Sequence, residues 1–346
     1  MSIQSYLRKI QMTRLFYFKK WIYMRILSGI QPSGRPHLGN YFSMMKRMVE
    51  YQKDHELFVF IASYHAMTTV QNQTELREGI LNTVLDFLAV GIDPKKSIFW
   101  VQSDVPQVTE LCWILSNFIN VSQLELAHSY KDKIAQGINP NGGLFFYPVL
   151  MAADILAFRT DKVPVGKDQK QHLEFTRDIA ERFNRCYGDL FKLPEPDINE
   201  EVAVIPGIDG RKMSKSYKNA IYLFAEEKEL KKQVMSIVTD SKGIDEPKDP
   251  DNSVLYHIYS LFLNEEEKKI LRDKFLTPGI GYGHIKQELY QKILDYFADF
   301  RKKRQELEKQ IDVVIDILKE GAKKAQNIAD GVLDEVRKAT GLKYHG

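Results

Sequence analysis

The sequence predicts a doubly wound parallel α/β sheet followed by an all-helical segment. Three observations carry that prediction. Short apolar runs alternate with amphipathic stretches through the first half of the chain. A Gly/Pro-rich loop separates the first apolar run from the first amphipathic stretch, where folds of this class place a ligand. After about residue 216 the strand-like runs cease, and Lys, Glu and Leu at helical spacing take over.

Residues 25–30, Arg-Ile-Leu-Ser-Gly-Ile, read as a short buried strand. The loop Gln31-Pro32-Ser33-Gly34-Arg35-Pro36 follows, and His37-Leu38-Gly39-Asn40 opens a helix running to about Lys53. Leu57 to Ala62 is a second strand. Residues 75–91 form a helix, with Leu76, Ile80, Val84 and Leu88 on one face, and Ser97 to Gln102 is a third strand. Residues 107–136 read as largely helical, and helices over 148–158 and 168–186 flank Lys162 to Gly166. Charge-rich helices follow over about 226–239, 251–264, 283–318 and 321–340, with Asp/Pro/Gly breaks at 245–252 and 278–283. The expected division is an N-terminal extension at 1–24, an α/β domain at 25–218, a helical domain at 219–320, and a C-terminal helix at 321–346 packing back on the α/β domain.

The 346 residues, 44% apolar and 27% charged, have an ordinary globular balance and suffice for two cores. A net charge of +3 neither requires nor excludes a nucleic-acid partner, because a local basic face decides that. Cys112 and Cys186 lie too far apart for a metal-type pair and form no disulfide framework, which fits a reducing, cytoplasmic setting. No run of about eighteen apolar residues is present to span a membrane. The first 24 residues are basic, carrying Arg8, Lys9, Arg14, Lys19 and Lys20, and the first acid is Glu50. Charges break their apolar stretches and no small-residue cleavage site follows, so they are no secretory signal. Two readings remain open: an organelle-targeting segment, or sequence upstream of a native start at Met24.

Two elements carry the chemistry. Pro32-Ser33-Gly34 and His37-Leu38-Gly39-Asn40 lie between a strand and a helix start, where backbone N–H groups and the positive end of the helix dipole favour an anion. His37 and Asn40 can hydrogen-bond phosphate or ribose oxygens. A tight structural turn would use the same residue types, so this element alone is weak. The second element is Lys212-Met213-Ser214-Lys215-Ser216, preceded by Gly207-Ile208-Asp209-Gly210-Arg211. Two lysines and two hydroxyls on a Gly-containing loop suit a clamp on a polyphosphate.

Together the two elements resemble the paired nucleotide-binding motifs of class I aminoacyl-tRNA synthetases. Asn40 stands where the commoner form of the first motif has a second histidine, which is typical of the tryptophanyl branch. Tyr147-Pro148-Val149-Leu150-Met151-Ala152-Ala153-Asp154-Ile155-Leu156 looks like the amino-acid-recognition helix of the bacterial members of that branch. Val163 to His172 resembles their substrate-facing loop. The resemblance runs from about Arg25 to the C-terminus.

The resemblance implies a Rossmann-type catalytic domain followed by an anticodon-binding helical domain, and a tryptophan–tRNA ligase using ATP with Mg²⁺ carried on its phosphates. It implies L-tryptophan, ATP and tRNA(Trp) as partners, and a homodimer. Lys212, Lys215, His37 and Lys133 are the expected catalytic set. Gln31, Pro32, Ser33, Gly39, Asn40, Gly166, Lys167, Asp168, Ile205, Met213, Ser214 and Ser216 join the two loop lysines around ATP. Relatives in this family often carry an acid where Lys167 stands.

Asp154, Met151, Tyr147, His65 and Gln169 are expected around tryptophan. The physical reading of Asp154 agrees: indole offers only a donor, and a buried carboxylate on an apolar helix needs one. Alone, an Asp in such a helix would also serve as a cap or an exposed face, Met151 as core, and His65 as a satisfied core histidine. A tyrosine-specific sister enzyme is the nearest rival, and its pocket would pair an Asp with a Tyr or Gln. A non-catalytic RNA-binding paralogue would be expected to have lost one of the two nucleotide motifs, and a small nucleotidyltransferase would lack the second.

Overall fold

In the computed structural model the described residues are 23–345, except 33, 128–129, 132–133, 135–136, 138, 167–168 and 199–204. Residues 1–22, and with them most of the N-terminal extension, lie outside that set.

Strand β1 (Arg25–Ile30) leads through the Gly/Pro loop into helix α1. This helix begins as Leu38–Asn40, passes through a π-helical turn at Tyr41–Met45 and continues as Lys46–Asp54. Strand β2 (Glu56–Ile61), a short helix α2 (Ser63–Ala66), helix α3 (Gln73–Val90) and strand β3 (Ser97–Val101) follow. Next come α4 (Gln107–Leu115), α5 (Val121–Glu125), α6 (Gly142–Leu156), β4 (Lys162–Pro164), α7 (Lys170–Tyr187) and β5 (Glu195–Asp197). The helical half contains α8 (Glu227–Met235), α9 (Val254–Ser260), α10 (Glu265–Leu276), α11 (Tyr282–Glu308) and α12 (Ile311–Thr340).

The sheet is parallel, in the order β3-β2-β1-β4-β5. This is the doubly wound Rossmann-type arrangement the alternation predicts. β1 and β2 pair over their full length, Arg25 against Glu56 through Ile30 against Ile61. The order reverses between β1 and β4, so a crevice opens at their carboxyl ends. β5 carries Pro196 and was not expected from the sequence. An edge strand tolerates a missing N–H, and Glu-Pro-Asp has no apolar pattern to announce it.

Helix bounds differ from expectation in four places, each with a local cause. α6 starts six residues before Pro148, because the Asn141 side chain accepts from Leu144 N (2.8 Å) and caps it; Pro148 sits inside the helix. α10 was not expected, although its cap is a reciprocal Asn264–Glu267 box. The break expected at 318–321 falls instead at Lys309–Gln310, so the C-terminal helix begins ten residues earlier than the expected 321. Gly321 lies inside α12 because the helix presses on β3: a Cβ there would run into the backbone carbonyl of Phe99. Two of the expected helices are also shorter, ending as α8 and α9.

The helical half is joined to the sheet by burial. Tyr41 and Phe42 of α1 pack edge-on against Tyr296, Phe297 and Phe262, so one apolar cluster runs from the sheet into α11. α12 lies on the other side of the sheet, with Ala322, Ala325 and Ala329 among the buried residues around Trp100. Among the described residues no helix is long and apolar enough to cross a membrane.

Candidate active site

The crevice between β1 and β4 holds a cavity of about 510 Å³, lined from β1 by Leu27, from β2 by Phe60, from α6 by Met151 and Asp154, and after β4 by Val165 and Gly166. That size and mixed lining are typical of a small-molecule site. Gln31 lines both this cavity and a smaller adjoining niche that holds Gly34, Asn40, Asp86 and Lys215.

Asp154 forms the polar end of the apolar wall and is 2% exposed. Its Oδ2 accepts from His65 Nε2 at 2.8 Å, and Gln102 Nε2 lies 2.8 Å from both carboxylate oxygens. Gln102 cannot easily turn over, because its Oε1 accepts from Tyr64 N at 2.9 Å. Burial pushes the Asp154 carboxyl above the ordinary range, and the bonds from His65 and Gln102 partly offset this. Two lone pairs are engaged by these donors, and a carboxylate has about four. The remaining capacity suits a ring N–H entering from the cavity.

A second polar chain lines the cavity. The Tyr147 hydroxyl is hydrogen-bonded to His172 Nε2, and His172 Nδ1 to Gln169 Oε1 at 2.9 Å. His172 is buried, so it fixes Tyr147 and Gln169 relative to each other. The His65 and Tyr147 rings meet edge to face, at 6.3 Å between centroids.

The loop after β1 is shaped by Gly34, at φ +77°, and by Pro32, whose carbonyl rests where a side chain on Gly79 of α3 would stand. His37 caps α1 reciprocally: its Nδ1 accepts from Asn40 N (3.2 Å), and Asn40 Oδ1 accepts from His37 N (3.1 Å). Burial, and the nearby ammonium of Lys215, push His37 down to about 4. The imidazole is therefore neutral at pH 7. With Nδ1 accepting, the proton sits on Nε2, so His37 is a donor toward an anion and not a general acid.

The Lys212–Ser216 loop leans against this motif. Gly39 N donates to Met213 Sδ (3.4 Å), and Leu38 N to Ile221 O (2.9 Å). Asn219, 1% exposed, organises the loop: its Oδ1 accepts from Ser214 N (2.8 Å), and its Nδ2 donates to Lys212 O (3.1 Å) and Asp209 Oδ1 (2.7 Å). The Ile205 carbonyl accepts from Met213 N (2.9 Å). Lys212 and Ser216 are exposed, Ser214 is half-buried, and Lys215 is half-buried beside Gly34.

Of the sequence-predicted residues, Gln31, His65, Tyr147, Met151, Asp154, Gly166 and Gln169 line the main cavity. Asn40 and Lys215 line the niche. His37, Gly39 and Met213 lie just behind it, while Pro32 packs against α3. Ser33, Lys133, Lys167 and Asp168 lie outside the described residues. Sequence reasoning missed Gln102, His172, Asn219 and Asp86. Only Gln102 carried a usable signal, its place at the carboxyl end of a strand.

Residues 22–298 match the family model for class I tRNA synthetases of the tryptophan and tyrosine type. A tryptophan–tRNA ligase of Fusobacterium nucleatum is 56% identical over 319 residues, 92% of this chain and 98% of the relative. One from Rhodopirellula baltica is 48% identical over 320 residues, 92% of this chain and all of the relative. The crystal structure of a tryptophanyl-tRNA synthetase from Campylobacter jejuni, complexed with ADP and tryptophan, superposes with a TM-score of 0.88 at 50% identity, covering 92% of this chain and 100% of that one.

Proposed function

The chain belongs to the class I tRNA synthetases of tryptophan and tyrosine, and from that premise we infer how its cavity and loop divide the work of a tryptophan–tRNA ligase. The enzyme activates L-tryptophan with ATP and joins it to tRNA. In the first step a tryptophan carboxylate oxygen bonds to the α-phosphorus of ATP while the bond to pyrophosphate breaks. In the second, a hydroxyl of the terminal ribose of tRNA(Trp) attacks the carbonyl, and AMP leaves. The first nucleophile is already ionised at neutral pH, so positioning and charge stabilisation are the main demands.

In this reading the indole N–H donates to Asp154, with Met151 as the apolar wall and His65 holding the carboxylate. Tyr147 and Gln169 face the amino group. Gln31, Pro32, Ser33, Gly39, Asn40, Gly166, Lys167, Asp168 and Ile205 approach ATP, and the Lys212–Ser216 loop covers its phosphates. His37 Nε2–H donates to a phosphate oxygen, and Lys212, Lys215 and Lys133 meet the charge that grows on pyrophosphate. Mg²⁺ belongs on those phosphates. Among the described residues no three His, Cys, Asp or Glu converge on a metal position, and none of these steps runs through the ion.

The helices after residue 218 are the part we assign to the anticodon. The exposed apolar residues Trp113, Val121, Leu126 and Phe146 lie on and beside the packed helices α4, α5 and α6, and support a homodimer through that face. The unpaired cysteines and the bacterial relatives support a cytoplasmic enzyme.

The buried acceptor Asp154 at the end of an apolar cavity is the observation that carries the choice of amino acid. A screen of ATP–pyrophosphate exchange against single amino acids tests it: tryptophan stimulates exchange, and stimulation by tyrosine alone overturns it.

A further inference from the structure

Asp86 stands on α3, inside the sheet's helical cover, where an acid has no packing purpose. It is 2% exposed. Arg304, on α11, donates from Nε to Asp86 Oδ1 at 2.6 Å. Its Nη2 donates to Asn82 Oδ1 at 3.0 Å, Nη1 meets Glu308, and its plane lies 5.3 Å from the Phe224 ring centroid. The guanidinium is thus held from several sides. On its other side Asp86 faces the small niche that it shares with Gln31, Gly34, Asn40 and Lys215. The Lys215 Nζ comes within 3.9 Å of the Cβ position of Gly34, at the mouth of that niche.

The charges of Asp86 and Lys215 feel each other. Burial raises the Asp86 carboxyl to about 6, against the pull of Arg304 and Lys215. Burial lowers the Lys215 ammonium, and Asp86 opposes that. Buried acid–base groups of this kind are held for a purpose or are costly.

We propose that Asp86 is a positioning residue for Lys215: it keeps the ammonium charged and aimed from the niche toward the nucleotide, and Arg304 ties that carboxylate to the helical half of the molecule. The proposal rests on the assignment of Lys215 to the phosphates of ATP. A carboxylate this near the phosphate path does not attract ATP, so its removal should cost rate and not ATP affinity.

The test is a double-mutant cycle on the full chain, read by tryptophan-dependent ATP–pyrophosphate exchange. Asp86→Asn should lower kcat about tenfold while KM for ATP does not rise. In a Lys215→Ala background the same change should alter kcat by less than about twofold. Removing both buried charges, with Asp86→Asn and Arg304→Gln together, should give the same loss in kcat with the melting temperature kept near that of the parent.

Equal losses in both backgrounds would show that Asp86 acts only through the fold. A rise in KM for ATP at constant kcat would overturn the proposal too, as would recovery of kcat in the paired variant. If Lys215→Ala itself leaves exchange unchanged, the assignment of Lys215 falls, and the proposal with it.

Discussion

Asp154→Asn is the sharpest test of how the cavity reads its amino acid. The substitution keeps volume but replaces one oxygen by an NH₂. In the protein three donors would converge on that group: His65 Nε2, Gln102 Nε2 and the indole N–H. Gln102 is locked by Tyr64 N, so the new NH₂ must face His65. His65 can accept it by moving its proton to the other ring nitrogen, which leaves the asparagine oxygen for Gln102 and indole. The indole bond then passes from a charged acceptor, about 1.5–3 kcal/mol, to a neutral one, about 0.5–1.5 kcal/mol. The difference of about 1–1.5 kcal/mol is roughly tenfold in KM for tryptophan. Asp154→Ala removes the acceptor and strands the indole N–H, adding about 1–3 kcal/mol, so its KM should rise on the order of a hundredfold or more. KM for ATP should stay near the parent value in both, and discrimination against phenylalanine should shrink.

Stability separates this from general damage. The Asp154 carboxyl is raised on folding, so the native state holds the extra proton. Its contribution is present below the unfolded value and is lost as pH rises through the folded one. The melting temperature of Asp154→Asn relative to the parent should therefore climb as pH rises out of the acid range, even as tryptophan binding weakens. The measurements are exchange kinetics with both amino acids and thermal unfolding from acid to neutral pH. Parent-like KM and selectivity in both variants would refute the reasoning.

Two further expectations concern the scaffold. Asn219→Ala removes three hydrogen bonds that organise the Lys212–Ser216 loop and should cost roughly 2–4 kcal/mol of stability by denaturant titration, with slower adenylation; a loss below about 0.5 kcal/mol would show that the loop holds its shape without it. Gly321→Ala should destabilise by about 1–3 kcal/mol, because the methyl meets the Phe99 backbone, whereas Gly331→Ala in the same helix, with nothing near it, should stabilise by about 0.5–1 kcal/mol; equal effects at the two sites would rule out close packing of α12 on β3.

The sequence by itself determined what is written in contiguous residues. The strand–loop–helix from Arg25 to Asp54, the Lys212–Ser216 loop and the Asp154 helix are each a short stretch whose periodicity or motif states its role. The doubly wound sheet followed from the order of such stretches. Tertiary structure alone decided the rest. Gln102 meets Asp154 across 52 residues, Arg304 meets Asp86 across 218, and neither pairing leaves a local trace. Asn219 looks like a loop residue until its side chain is seen satisfying Ser214 and Lys212. Gly321 reads as a helix break in sequence and is a close contact with β3 in space. The physical reason is the same throughout. Helix and strand patterns arise from the chain's own repeat, whereas a polar partner or a steric limit is set by whichever distant element folding brings alongside.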